Sequence, residues 1–234
     1  MEHSGNLMER VWLFFGFLGH DQTIQLIVHS LIAMGLSLLV AKLATRNLQI
    51  VPKGCQNVME AVVQGILYIG KDVANEEIAR KYLPLTGALA IFIFMGNIIG
   101  IIPGFESPTA NINLTLTLAL IVFIYYNWEG IKAQGLKHYI AHFAGPNKYL
   151  APLMFPVEVI SHLSRIVSLA FRLFGNIKGD DLFLLVLLFL APWFGVPLAG
   201  YALLIFSAFL QAFIFMVLTY VYLYGAVTGQ EEAL

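Results

Sequence analysis

Long apolar runs separated by short polar stretches organise this chain. The first run, Thr23 to Ala44, is long enough to cross a bilayer as one helix. It passes into KLATRNLQIVPKG, a basic stretch closed by Pro52 that reads as a loop. In CQNVMEAVVQGILYIGKDVANEEIARKYL, Val58, Val62, Ile66, Ile69 and Val73 recur at helical spacing. Glu60, Gln64, Lys71 and Asp72 lie mostly off that stripe. Residues 55–80 therefore predict an amphipathic helix lying on the membrane surface. A second span, Leu85 to Ile102, is stopped by Pro103 and Gly104. The polar turn FESPTAN then leads to a third span, Ile112 to Tyr126, so that residues 85–127 form a hairpin. WEGIKAQGLKHYIAHFAGPNKYLAP reads as a polar connection. Two long blocks remain, joined by the link KGDD, Lys178 to Asp181. Pro152 to Asn176 is apolar but dotted with charge. Leu182 to Gly229 has no charged residue and is interrupted by PWFGVP. That second block is too long for one upright span, so it predicts two helices, or one that is tilted, kinked or partly in the membrane plane. Residues 152–227 are thus expected to form a second hairpin.

Composition fixes the class. Of 234 residues, 59% are hydrophobic and 12% charged, against about 45–50% and about 25% in soluble domains. The expectation is an all-α integral membrane protein of one membrane domain, residues 1–234, with lipid as its surroundings. A net charge of −1 offers no basic surface for nucleic acid. The single cysteine, Cys55, forms no internal disulfide and reads as an inert small side chain. MEHSGNLMER and VWLFFGFLG lack the basic start and A-x-A site of a cleaved signal peptide, so the N-terminus is expected to be retained. Lys42, Arg46, Lys53, Lys71, Arg80 and Lys81 fall between the first and second spans. Lys132, Lys137 and Lys148 fall between the third span and the next block, and FESPTAN has none. The bias of Lys and Arg to the cytoplasm puts the N-terminus outside and the C-terminus inside. Lys178 is expected outside, outweighed by two aspartates.

Within SLAFRLFGN an arginine, Arg172, sits among leucines and phenylalanines. Its cost near the bilayer centre is between about 2.5 and about 17 kcal/mol, depending on how it is measured. Glu158, Arg165 and Arg172 are spaced by two helical turns and share a stripe. Ser161, His162, Ser168 and Asn176 fall on or beside it. Ile160, Leu163, Val167, Phe171 and Phe174 form the opposite, apolar side. Such a file usually faces protein or water and often marks an ion path. Glu158 and Arg165, near the cytoplasmic start of the helix, can equally snorkel to the headgroups. His162 reads first as a satisfied interface histidine and second as a proton relay. Arg172 has no acid at i±3 or i±4, so its counter-charge must come from elsewhere, such as another subunit. A guanidinium stays protonated. It can favour the ionised form of a passing carboxylate and bar a cation from short-circuiting two half-paths.

SLAFRLFGN resembles the signature of the subunit a family of the F-type ATP synthase. LQAFIFMVLTYVYL, Leu210 to Leu223, resembles that family's last helix, and PTANINLTLTLAL its middle segment. Order and spacing match from about Leu85 onward. The short chain without a targeting peptide suggests a bacterial source and hence an inner membrane, with an organelle-encoded copy as the alternative. The resemblance implies an ion-translocating stator subunit of the Fo motor. Its partners would be a rotating ring of c subunits, each carrying a membrane carboxylate, and peripheral-stalk b subunits. It implies one upright span, a surface helix and two hairpins of tilted, near-horizontal helices, with two aqueous half-channels reaching the ring. By the same resemblance, Arg172 is the fixed charge between the half-channels, Asn176 its polar neighbour and Gln211 a polar residue packed near it. Glu158 becomes a candidate for the cytoplasmic exit and Asp181 the acid of the outer half-channel. Asn111, Asn113 and Thr115, with Asn97 from the second span, are candidates to line the outer path. These Asn and Thr residues could instead be helix caps or interhelical ties, Gln211 a tie, and Asp180 and Asp181 a solvated turn. Some relatives pair the outer acid with a histidine where this chain has Leu204, and some have Asp where it has Asn111. The adjacent Asp180 can compensate, since two close carboxylates can hold one shared proton.

A self-contained secondary transporter is the rival reading, but no convincing repeat or paired broken helices are visible. An inert assembly subunit would not need the file from Glu158 to Arg172. No phosphate-binding loop, His/Cys metal cluster or Ser–His–Asp set stands out, so no catalytic site and no cofactor are expected in this chain, and ATP chemistry belongs to other subunits.

Overall fold

Inside hydrocarbon a backbone must satisfy its own hydrogen bonds, and apolar runs of this length do so as helices. The computed structural model describes residues 22–46, 48–102, 104–135, 139, 151–190 and 195–229. Among these, six α-helices and one 3-10 turn follow in order. They are α1 (Gln22–Thr45), α2 (Cys55–Ala74), α3 (Glu76–Ile101), the turn Pro108–Ala110, α4 (Ile112–Gln134), α5 (Ala151–Leu190) and α6 (Gly195–Thr228). No strand occurs among the described residues. α1, α3, α4 and α6 are each long and apolar enough to cross a membrane.

The helix boundaries depart from the predicted ones in four places. The amphipathic helix expected over 55–80 ends at Ala74. Asn75 adopts φ 66° and ψ 155°, far from helical values, which breaks the chain between the two helices, and α3 begins at Glu76. α3 then runs through Pro84 rather than starting after it. The lost backbone bond falls on the exposed side, while Tyr82, Thr86 and Leu89 are buried and hold both flanking turns. α4 continues past Tyr126 into the expected polar connection, up to the glycine cap at Gly135, whose N–H bonds Ile131 O at 2.8 Å. KGDD is not a link. Lys178 to Asp181 lie within α5, which runs unbroken for 40 residues.

α3 and α6 are packed together most extensively; α4 and α5 pack against each other and against α6, and α1 lies at the edge against α3. Tyr82, Ile93, Val122, Tyr126, Leu173, Phe215, Tyr220 and Leu223 make the centre of one core. α2 docks close to α6. A Cβ on Gly70 would stand 2.8 Å from the Tyr220 ring, so only glycine fits, and the Tyr220 hydroxyl donates to Ala79 O at 3.2 Å. Of the apolar stripe on α2, Ile66 is buried, while Val58 and Val62 are exposed. The polar turn before α4 folds inward. Ser107 donates to Gly96 O at 3.2 Å and Thr109 donates to Asn97, all four residues being buried.

Candidate ion-translocation seam

α5 has three sides rather than the two its sequence suggests. Ile166, Leu169, Ala170, Leu173 and Ile177 are buried against the core. Ile160, Leu163, Val167 and Phe171 are exposed. The polar file runs along the flank between them.

At the start of the file, Glu158 Oε1 lies 3.6 Å from His162 Nε2. His162 is buried, its Nδ1 3.0 Å from the Tyr126 hydroxyl of α4, and the two rings stack. One turn on, the Arg165 guanidinium stands over the ring of Tyr222 from α6, 5.6 Å from its centre. Tyr222 in turn lies against Tyr126, with ring centres 6.0 Å apart. Three helices thus meet in one polar, aromatic seam.

Arg172 is exposed and makes no hydrogen bond or ion pair among the described residues. Its neighbour Leu173 is fully buried, which fixes the direction in which the helix presents the guanidinium. One turn further, the Asn176 amide donates to Gln211 Oε1 at 2.6 Å, and Gln211 is almost completely buried. Another turn on, Ser207 of α6 donates to Asp180. The two bonds are four residues apart on each antiparallel helix, like rungs. They border a cavity of about 380 Å³ between α5 and α6, lined by Gly175, Asn176, Gly179, Asp180, Ser207, Leu210, Gln211 and Ile214. These rungs explain why α5 continues through Gly179, where glycine alone costs about 1 kcal/mol.

Asp181 is half-buried beside this pair. Lys178, one turn back, pairs with Glu106 of the inward-folded turn at 3.4 Å. The candidates on α4 are placed differently. Asn111 caps α4, its side chain accepting from the Asn113 N–H at 2.9 Å. Asn113 is exposed, and the buried Thr115 hydroxyl bonds back to Ile112 O at 3.1 Å. Among the described residues no hydrogen bond joins Asn111 or Asn113 to Asp180 or Asp181. Asn97 is tied to Thr109. Leu204 is buried.

The sequence pattern did not single out Ser207, Tyr126 or Tyr222. Ser207 carries one visible signal: it precedes Gln211 by one helical turn, on the same face. The tyrosines carry none, because their partners lie on other helices. Glu129 was also missed. It is buried near the end of α4, accepting from Lys81 at 2.6 Å and from the Tyr82 hydroxyl at 2.7 Å. Among the described residues no group of three His, Cys, Asp and Glu side chains could hold a metal ion.

The family model for the ATP synthase A chain matches residues 27–224, from α1 through most of α6 and across every candidate residue. The ATP synthase subunit a of a Nitratiruptor species is 63% identical over 227 residues, covering 97% of this chain and all of that one. That of Campylobacter fetus subsp. fetus is 58% identical over 96% of this chain and all of its own length. That of a Sulfurovum species is 62% identical over 90% of this chain and 88% of its own. With the match running through nearly every helix at this level of identity, the chain belongs to the ATP synthase A chain family.

Proposed function

We propose that this chain is the ion-translocating stator subunit of the Fo sector of an ATP synthase, with Arg172 as the fixed charge between two half-paths that reach a rotating ring of carboxylate-bearing subunits. The observation that carries this is a permanently charged side chain presented to the outside of a membrane helix with no counter-charge among the described residues of its own chain. Such a charge calls for a partner carboxylate that comes from elsewhere. The exposed apolar face beside it, Ile160, Leu163, Val167 and Phe171, suits a lipid-embedded partner.

Glu158 serves the cytoplasmic half-path, and Asp180 and Asp181 serve the outer one. Asn176 and Gln211 hold α5 and α6 in register beside the arginine. Asn111 and Asn113 stand at the outer end of α4 as secondary candidates. The length of α5, about 60 Å at a rise of 1.5 Å per residue, is twice the hydrocarbon thickness, which favours a strongly tilted hairpin with α6. The exposed Val58 and Val62 favour α2 as a helix on the membrane surface, with α1 upright. The N-terminus lies outside and the C-terminus in the cytoplasm of a bacterial inner membrane, with c-ring and peripheral-stalk b subunits as partners. ATP chemistry belongs to other subunits.

The rival is a self-contained secondary transporter. Purifying the chain by an affinity tag from mild detergent, and reconstituting it with and without its co-purifying subunits, separates the two. The stator reading expects co-purification of a c-ring and an ATPase head, with ATP-driven ion uptake in the complex only. Coupled transport by the chain alone would overturn it.

A further inference from the structure

Glu158, His162 and Tyr126 are three titratable groups in direct sequence within one membrane seam. A histidine that merely tied α5 to α4 would be satisfied by Tyr126 alone. Here the opposite ring nitrogen faces a second, mostly buried titratable group, at 3.6 Å. Ionisable groups in such segments face water or protein and mark paths for protons. Imidazole also holds and releases protons in the physiological range, at two separate atoms.

We propose that His162 is a proton carrier of the cytoplasmic half-path, taking protons from Glu158 on one side of its ring and releasing them on the Tyr126 side. The inference rests on the proposed function and deepens it, because a sodium ion cannot follow such a relay; the transported ion is a proton. In the ATP-driven direction the Glu158 carboxyl gives its proton to Nε2. This leaves a carboxylate behind and makes the ring a cation. Nδ1 then releases its own proton to path water beside the Tyr126 hydroxyl, leaving the ring neutral with its proton on Nε2; a flip of the ring or proton exchange through water returns the proton to Nδ1, and the cytoplasm reprotonates Glu158 for the next transfer. The 3.6 Å gap exceeds hydrogen-bond length and is closed by a small movement of the Glu158 side chain. Among the described residues, the titratable and charged groups around the ring are Tyr126 from α4, Glu158 and, one turn on, Arg165 from α5 and, behind Tyr126, Tyr222 from α6.

The test uses the whole complex in inverted membrane vesicles, reading ATP-driven proton uptake for wild type, His162→Ala, His162→Gln, Tyr126→Phe and Arg172→Ala, with chain and ATPase levels checked by blot. His162→Ala is expected to lose uptake by about tenfold or more, the scale of a positioned proton-transfer group. Added imidazole should restore it and thiazole, a ring of like size that takes no proton in this range, should not. His162→Gln, which keeps the volume, should assemble and remain slow, and Tyr126→Phe should fall between. Wild-type uptake in an assembled His162→Gln variant overturns the inference. So does a slow His162→Ala variant that imidazole leaves unchanged. Arg172→Ala keeps the two levels apart. If it pumps normally the stator reading fails; if it is blocked while both His162 variants pump normally, only the relay fails.

Discussion

The two apolar faces of α5 are chemically alike and structurally opposite. Leu169, Leu173 and Ile177 are buried against α4 and α6, whereas Ile160, Leu163, Val167 and Phe171 are all more than half exposed. In a soluble protein the second set would be an aggregation liability. In a membrane it faces lipid or a lipid-embedded partner at little cost. What separates the faces is the polar flank from Glu158 to Asp180. Packing within the chain therefore defines one side of α5 and leaves the other uncovered among the described residues.

That contrast breaks first at the outer acids. Asp180→Asn together with Asp181→Asn is expected to abolish ATP-driven uptake, with each single change costing several-fold; full uptake in the double variant would remove the carboxylates from the path. Next, Leu173→Ala should cost about 2 kcal/mol or more, read as a lower unfolding temperature of the detergent-solubilised complex, because it opens a cavity in the core. Phe171→Ala should stay within about 0.5 kcal/mol of wild type yet slow uptake several-fold. Equal thermal losses in the two variants would mean that both faces are packed. A smaller loss, between about 1 and 2 kcal/mol, is expected for Glu129→Gln, which weakens the contact to Lys81 and Tyr82 away from the seam. Its uptake should match wild type. The smallest effect belongs to Asn111→Ala, about 1 kcal/mol or less from a lost helix cap, with uptake slowed less than twofold, as suits a secondary candidate. Uptake lost without a thermal change would make Asn111 a principal member of the outer path.

The sequence made Arg172, its stripe and the apolar class legible because these depend on spacing and composition along a single helix. It concealed whatever depends on a second helix. Lys178 to Asp181 look like a break, since Gly179 and three charges interrupt the apolar run. The helix survives there because Ser207 and Gln211 bind across from α6. Glu129 looks like part of a polar connection because Lys81, its partner, lies 48 residues away. Asn111 could be read as a path residue or as a cap, and the structure adds the cap, with the backbone N–H of Asn113 at 2.9 Å, a bond that no spacing in the sequence reveals. Two-sided reasoning on α5 missed its third side, since leucines facing lipid and leucines facing protein have the same pattern.

The central claim is that Arg172 acts as a fixed charge on a partner beyond this chain. ATP-driven proton uptake by inverted vesicles carrying the whole complex, wild type against Arg172→Ala, tests it most directly. Loss of coupled uptake with the complex still assembled is the expected result. Normal uptake by the assembled Ala variant would make the arginine structural and contradict the mechanism.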